Sequence, residues 1–489
     1  CDKGRWAFKY VTAVDRLTHP LVRNSSGELV QASWPEALAA AAAGLKGKRA
    51  AVLTGGRVTT EDAYGYSKFA RIALGTNDID YRARVTSDEE RDFLAAHVAG
   101  SSTTYRDIDS ADHVALIAFE PEEESPIVFL RLNKNFKKRG LKVSAVATKG
   151  SIAMDKLKAD FIKVAPGAEA AAVAGLSLTS KSVILVGERA SESAGLFSAV
   201  AALAAKTGAK IAYIPRRAGE RGALEAGALG TVLPGGRPVV DAAARVDIAA
   251  AWGVDSLPAT PGRTSTQIID ALASGDLDAV VVGGVDAHDL PHSHSVLDAL
   301  KKSFVVSLEI APSSVTAVAD VVLPVAAITE KSGSFLNWEG RARAFDAAVA
   351  DSHNRSDVRI LSMLADAIGN PISLGTVTSS AREFNQLGSW DGARVQLAPV
   401  APGTAQSVSG NEALLSSWRR LLDMGTLQKG EDNLAGTRRP TVAVISPKRA
   451  ESIGVTTGQQ VRVSNAHGSI TIPVLVEDIH EDAVWIPRN

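Results

Sequence analysis

Along most of the chain, short runs of β-branched and small apolar residues alternate with longer stretches whose apolar positions recur every three or four residues. Ser33-Trp34-Pro35-Glu36 opens a helix, with Ser33 as its cap and the proline inside the first turn, and Ala37 to Leu45 continues it. Ala50 to Leu53 reads as a buried strand closed by Gly55-Gly56. A second helix runs from Thr60 or Glu61 through Tyr64, Phe69 and Ile72 and stops at Gly75. The cycle repeats, with strands at 113–119, 141–147, 161–164, 183–186 and 210–214 and helices at 126–136 and 195–206. Near-continuous apolar strands separated by helices predict a parallel sheet covered on both faces.

Residues 216–240 break the pattern as a Gly/Arg-rich loop containing Leu233-Pro234-Gly235-Gly236-Arg237, and 252–263 is a second Pro/Gly stretch. Alternation returns with helices at 265–273 and 295–300 and strands at 279–282 and 305–310. One helix near 358–368 is followed by Ser/Gly/Pro-rich linker. From Thr441, short strands at 442–445, 460–463, 469–476 and 483–486 with Gly and Asn turns suggest a small barrel. The predicted fold class is α/β: two doubly wound parallel-sheet units, one inserted in the other, plus a small C-terminal β-barrel. The boundaries that follow are a lead-in at 1–33, a first unit at 34–84 and 265–350, an inserted unit at 85–264, a connector at 351–440 and the barrel at 441–489.

Composition narrows the function classes. A chain of 489 residues with 45% hydrophobic content and a net charge of -1 is neither disordered nor built for a polyelectrolyte. The basic run from Lys134 to Arg139 lacks interleaved aromatics and reads as a solvated helix face, so no nucleic-acid partner is expected. The single cysteine, Cys1, excludes an internal disulfide and a complete thiolate metal site within this chain, and fits a reducing compartment. The longest apolar runs, 37–45 and 194–205, are too short and too Ala-rich to span a bilayer, so no direct membrane insertion is expected. No signal-peptide pattern opens the chain, and a start on Cys rather than Met reads as a fragment or a processed product.

The stretch densest in candidate chemistry is Ala319-Asp320-Val321-Val322-Leu323-Pro324 followed by Glu330-Lys331-Ser332-Gly333-Ser334-Phe335-Leu336-Asn337-Trp338-Glu339-Gly340-Arg341. It reads as a buried strand stopped by proline, a turn at Gly333 where glycine allows positive φ, and a loop of polar hooks at Asn337, Glu339, Arg341 and Arg343. Such a loop holds a polar ligand in open α/β sheets, or pins itself to its surroundings. Gly55-Gly56 and Gly283-Gly284 sit at strand ends, where amides can face an anion, although tight turns explain them better. Asp286, His288, Asp289, His292 and His294 have spacing that suits zinc, but a polar surface loop is favoured because no further ligand is near in sequence. Neither G-x-G-x-x-G after the first strand, a P-loop, H-E-x-x-H nor G-x-S-x-G occurs. Cys1-Asp2-Lys3-Gly4-Arg5 suits the last ligand of an iron–sulfur cluster whose others lie upstream, with Lys3 and Arg5 offsetting cluster charge.

Several motifs together resemble the molybdopterin oxidoreductase superfamily. They are Cys1-x-Lys3-Gly4-Arg5, Arg16-Leu17-x-x-Pro20-Leu21, Ser33-Trp34-x-Glu36-Ala37-Leu38, Glu61-Asp62-x-Tyr64, Gly75-Thr76-Asn77-Asp78-Ile79-Asp80 and Ala83-Arg84-Val85, and, most specifically, the stretch from Ala319 to Arg341. Residues 446–474 look like the superfamily's terminal molybdopterin-dinucleotide-binding barrel. The departures are as informative. In formate dehydrogenases the Ala-Arg-Val run leads into the residue that ligates molybdenum, whereas here it leads into Thr86-Ser87-Asp88. Thr86 is a poor ligand and Ser87 is one position off. Glu120, Glu122, Glu123 and Glu124 stand where an anionic pterin phosphate would need donors.

A retained scaffold with a dead metal site resembles the family of large iron–sulfur subunits of bacterial NADH-quinone oxidoreductase, complex I, in its actinobacterial form. That resemblance implies a non-catalytic scaffold with no catalytic residues of its own, in the peripheral arm of a proton-pumping, membrane-bound complex. The chain would lie on the cytoplasmic side of the inner (plasma) membrane. NADH-binding and quinone-module subunits would be its partners. Residues 1–33 would then include the end of an iron–sulfur domain. Cys1 would be the fourth ligand of a 4Fe-4S cluster with Lys3 beside it, and further 4Fe-4S and 2Fe-2S clusters would lie upstream. No molybdenum or pterin is expected. The alternative is an active molybdenum or tungsten bis-pterin oxidoreductase of formate dehydrogenase type, with Ser87 or a non-protein ligand on the metal.

Overall fold

The computed structural model describes residues 2–349 and 352–488. Two compact units emerge, one of Val14–Ser102 and Arg217–Leu397, the other of Cys1–Ala13, Thr103–Arg216 and Ala398–Asn489.

The larger unit is built on a seven-stranded sheet. Its order is Leu29–Gln31, Leu21–Arg23, Val321–Pro324, Phe304–Glu309, Ala279–Gly283, Ala50–Thr54 and Ile79–Asp80. The last five strands are parallel, and Leu21–Arg23 adds antiparallel to Val321–Pro324. Central positions such as Val52, Val281 and Val306 lie in register and are fully buried, as the apolar runs require. Strand order reverses between Ala50–Thr54 and Ala279–Gly283, the place where open sheets of this class leave a crevice. The helix Trp34–Leu45 starts on the expected cap, with Ser33 accepting from the Glu36 amide and Glu36 reaching back to Ser33. The helix Thr60–Ile72 is buried from Thr60 to Arg71, because the helices Glu220–Glu225, Asp357–Ile368 and Val377–Leu387 all pack on it.

The boundaries differ from the expected ones at three points. The inserted unit covers 103–216 rather than 85–264, because 85–102 and 217–264 fold into the larger unit. There the expected Gly/Arg loop of 216–240 forms the buried helix Glu220–Glu225 and the short pair Val232–Leu233 with Arg237–Pro238, and the helix Ala242–Trp252 follows it. Arg71 fastens this segment by donating to the carbonyls of Gly227, Leu229 and Val232 at 2.9, 3.3 and 2.8 Å. Burial alone lowers the Arg71 pKa to about 9, so neutral carbonyls stand in for an acid. Strands Leu21–Arg23 and Leu29–Gln31 join the sheet, so part of the lead-in is sheet edge. Of the expected connector, the helices Asp357–Ile368 and Val377–Leu387 belong to the larger unit, and Leu414–Ser416 is a strand of the C-terminal sheet.

In the smaller unit a parallel five-stranded sheet runs Asp160–Lys163, Lys142–Ala147, His113–Ile117, Ser182–Gly187 and Lys210–Ile214. Its order reverses between His113–Ile117 and Ser182–Gly187. A second sheet runs Leu414–Ser416, Ala483–Trp485, Ala443–Ile445, Gly468–Val476 and Gln460–Asn465. It is a half-barrel of mixed direction around Ile445, Val474 and Val484.

Candidate functional site

In the larger unit the strand Val321–Pro324 delivers the chain to its densest polar stretch, and the bonds of that stretch turn inward. Glu330 accepts from Arg16 at 2.9 Å, Asn354 at 3.0 Å and the Ala327 amide at 2.7 Å. Burial opposes its charge, but these donors outweigh burial and hold its carboxyl below the usual range. Lys331 donates to Asp62 and, at 3.1 Å, to Asp357, and Ser334 donates its amide and hydroxyl to Glu61 at 2.8 and 2.7 Å. Asn337 accepts from the amides of Glu339 and Arg341 at 3.1 and 2.9 Å and donates to Glu339 at 2.8 Å. It therefore ties the turn of the hairpin Gly333–Leu336/Ala342–Phe345. The positive φ lies at Gly340, 77°, and not at Gly333 as the sequence suggested. Gly333 is required for space: a Cβ there would sit 2.8 Å from the Thr59 methyl.

The crevice beside this stretch is filled by the chain itself. Arg57 lies across it, donating to both carboxylate oxygens of Asp357 at 3.0 and 2.9 Å and to the Leu308 carbonyl at 3.0 Å. Tyr66 donates to Asp357 at 2.9 Å, and Asp62 accepts from the Val358 amide at 3.1 Å. Asp357 is fully buried; burial disfavours its charge, but Arg57 and Lys331 overcome that and drive its pKa far down. The strand-end glycines serve close approach. A Cβ on Gly55 would lie 1.9 Å from the Gly284 carbonyl oxygen, and one on Gly284 would lie 2.2 Å from Arg57 Nε. Their amides are also engaged, Gly55 with the Gly283 carbonyl at 2.8 Å and Gly284 with the Leu308 carbonyl at 3.1 Å. An anion at this strand end would have to displace those bonds.

The run Ala83-Arg84-Val85 ends in a second buried charge network. Arg82 pairs with Asp80 at 2.8 Å and Glu90 at 3.2 Å; Arg84 pairs with Glu90 at 2.8 Å and Glu220 at 3.2 Å. Ser87 caps the helix Asp88–Phe93, its Oγ accepting from the Glu90 amide at 3.1 Å. The Thr86 hydroxyl is buried without a partner among the described residues.

In the smaller unit the acidic loop after His113–Ile117 is not the unrelieved negative patch its composition implies. Glu122 pairs with Lys156, Glu123 with Arg439 at 3.2 Å, and Glu124 with Arg189 through two bonds of 3.1 Å. Glu120 is buried, which pushes its pKa up to about 7, although the Glu123 amide and the Ser151 hydroxyl donate to it. Repulsion of an anion is therefore weaker than four carboxylates suggest, but the Glu120 and Glu123 amides are already bonded to Glu124 and Glu120. A cavity of about 770 Å³ opens here, lined among others by Glu120, Ser151, Lys149, Arg420, Trp418 and Trp485. The two tryptophan rings are 4.7 Å apart, with Lys149 Nζ 5.5 and 5.4 Å from their centres.

Cys1 lies outside the described residues. Lys3 is held by Asp423 at 2.9 Å, and Asp423 also accepts from Arg216. Asp423 is carried down to about 2 by these two cations against its burial. Burial lowers the Lys3 pKa, and Asp423 opposes that. The histidine loop is held by its own polar bonds, Asp286 accepting from the His288 amide at 3.0 Å and the Ser314 hydroxyl at 2.8 Å. Among the described residues no group of three or more His, Cys, Asp or Glu is placed to hold a metal ion. Sequence reasoning missed Arg57 and Asp357 altogether. They stand 300 positions apart, and no spacing connects them.

Residues 16–367 match the family model described as Molybdopterin oxidoreductase, and residues 421–489 that of the Molydopterin dinucleotide binding domain. The chain is 48% identical over 508 residues to the NADH-quinone oxidoreductase G subunit of Mycobacterium bovis, covering 100% of this chain and 63% of that protein. It is 47% identical over 534 residues to the protein of the same name from Streptomyces coelicolor, again covering 100% and 63%. The chain thus spans less than two thirds of the length of these relatives. Acetylene hydratase from Pelobacter acetylenicus shares the fold with a TM-score of 0.60 at 14% identity, over 98% of this chain and 86% of that one.

Proposed function

We propose, for a chain that belongs to the molybdopterin oxidoreductase family, that it forms the non-catalytic body of a large iron–sulfur subunit in an NADH:quinone oxidoreductase. The observation that carries this reading is that, the Thr86 hydroxyl apart, the groups a pterin–metal centre would recruit are engaged in internal bonds. Arg57 and Asp357 fill the crevice at the strand reversal. The Gly55 and Gly284 amides point at carbonyls, and Ser87 Oγ caps a helix. Thr86, at the position that follows Ala-Arg-Val, offers an unactivated alcohol, a poor ligand for a thiolate-preferring centre. These residues do not fit a bis-pterin molybdenum site, and no chemistry passes through one in this reading.

The likeness to the mycobacterial and streptomycete NADH-quinone oxidoreductase proteins supports the rest. Cys1 would be the fourth ligand of a 4Fe-4S cluster, with Lys3, fixed by Asp423, two residues away. Further 4Fe-4S and 2Fe-2S clusters would lie in upstream sequence and pass electrons from NADH toward quinone. Neighbouring peripheral-arm subunits, NADH-binding and quinone-module, would be the partners, on the cytoplasmic side of the plasma membrane. No helix among the described residues is long and apolar enough to cross a membrane, in keeping with a peripheral position.

The test is metal and pterin analysis of the full-length protein purified in its complex. We expect iron with paramagnetic signals of 4Fe-4S and 2Fe-2S centres, NADH oxidation by the complex, and only trace molybdenum and tungsten. One molybdenum or tungsten per chain with releasable pterin would instead establish the bis-pterin enzyme.

A further inference from the structure

The hairpin Gly333–Leu336/Ala342–Phe345 is a two-stranded sheet of its own in the larger unit. The Asn337 amide donates to the Arg341 carbonyl at 3.1 Å, and this sets the phase of the ladder. Arg341, Arg343 and Phe345 turn their backbone groups toward the first strand, while Ala342 and Ala344 turn theirs away from it. The first strand obeys the same phase: the Ser334 amide points out of the ladder and is taken by Glu61 at 2.8 Å. No described residue takes the outward groups of Ala342 and Ala344, and positions 341–344 and 346–349 are exposed. A two-stranded hairpin is marginal by itself, and its free edge is a template for another strand.

Charge says which strand. Arg341 and Arg343 are exposed and have no side-chain partner among the described residues; the outer strand itself carries no acid, Asp346 follows its end, and Glu339 in the turn is bonded to Asn337. A second copy of this edge would bring four arginines together, so self-pairing is disfavoured. The small side chains of Ala342 and Ala344 leave the backbone open to approach. We propose that the edge Ala342–Phe345 takes an extended, acidic segment of a neighbouring protein chain as a third strand. That chain is a subunit of the same complex, so the surface rests on the function proposed above.

The test compares amide hydrogen exchange in residues 340–346 between the isolated chain and the purified complex. We expect exchange at Ala342 and Ala344 to slow by about tenfold or more in the complex, as for amides entering a ladder. A second measurement uses Arg343→Lys, which puts an amine where a carbodiimide can join it to a carboxylate. It should yield one cross-link, to an Asp or Glu of a single neighbouring subunit. Arg341→Glu with Arg343→Glu should lower retention of the chain in the complex while leaving its thermal unfolding unchanged. Equal exchange in an intact complex overturns the surface and leaves the proposed function standing. A chain that joins no such complex overturns both.

Discussion

Arg57 grips Asp357 with two parallel hydrogen bonds of 3.0 and 2.9 Å, in the crevice where related sheets reverse their strand order. Lys331, Asp62 and Tyr66 complete the cluster, which brings two cations to two carboxylates around the fully buried Asp357. Removing one member leaves a buried charge uncompensated. Asp357→Asn should therefore cost about 3–5 kcal/mol in urea unfolding. The pH sign follows from the direction of the shift. Folding holds the Asp357 carboxyl below its unfolded value near 3.8, so its contribution is present above about pH 4 and is lost on acidification. The variant should show a flatter stability curve below pH 4, and an unchanged curve would refute the assignment.

Glu120 has the opposite sign. Its pKa rises from 4.5 to about 7, chiefly through burial, so the folded chain takes up a proton between those values. Stability is therefore full below about pH 4.5 and is lost as pH rises to and through 7, by roughly 3 kcal/mol at pH 8. Glu120→Gln keeps an acceptor for the Glu123 amide and removes the titration. It should be more stable than the parent at pH 8 and equal to it at pH 4, read as unfolding midpoints.

Ser87 serves as a helix cap. Ser87→Ala should cost about 1 kcal/mol, as caps do, and Ser87→Asp should restore it. On the function proposed above, NADH–quinone activity of the assembled complex should not change in either variant. Activity lost in both variants, although Ser87→Asp restores stability, would indicate a ligand role.

The two glycines of the hairpin should separate by cause. Gly340 has φ of 77°, so Gly340→Asn is tolerated and Gly340→Val is not, since asparagine accepts the left-handed region and valine does not. Gly333 has no such φ, but a Cβ there would meet the Thr59 methyl at 2.8 Å, so even Gly333→Ala should cost about 1–3 kcal/mol by crowding. Thermal unfolding of the variants checks the order.

The sheets, their helices and the C-terminal strands were legible in the chain because each depends on local apolar periodicity, glycine stops and caps such as Ser33. The family resemblance was legible for the same reason: its motifs are contiguous. The extent of the inserted unit was not, because glycine and arginine in 217–240 look like surface loop until Arg71 is seen to bury them through carbonyl bonds. The loop Glu120–Glu124 looked like uniform negative charge, since Lys156, Arg189 and Arg439 come from distant parts of the sequence.

Alternation and motif spacing thus specified an α/β scaffold of molybdopterin oxidoreductase type and placed its atypical residues, Thr86 and Ser87, where a metal ligand would be sought. Only the folded chain assigned the charges to one another. Arg57, Asp357, Lys331 and Asp62 meet from segments up to 300 positions apart, and buried charges are stable only when such partners converge in three dimensions. That convergence, invisible to any local pattern, is what fills the crevice.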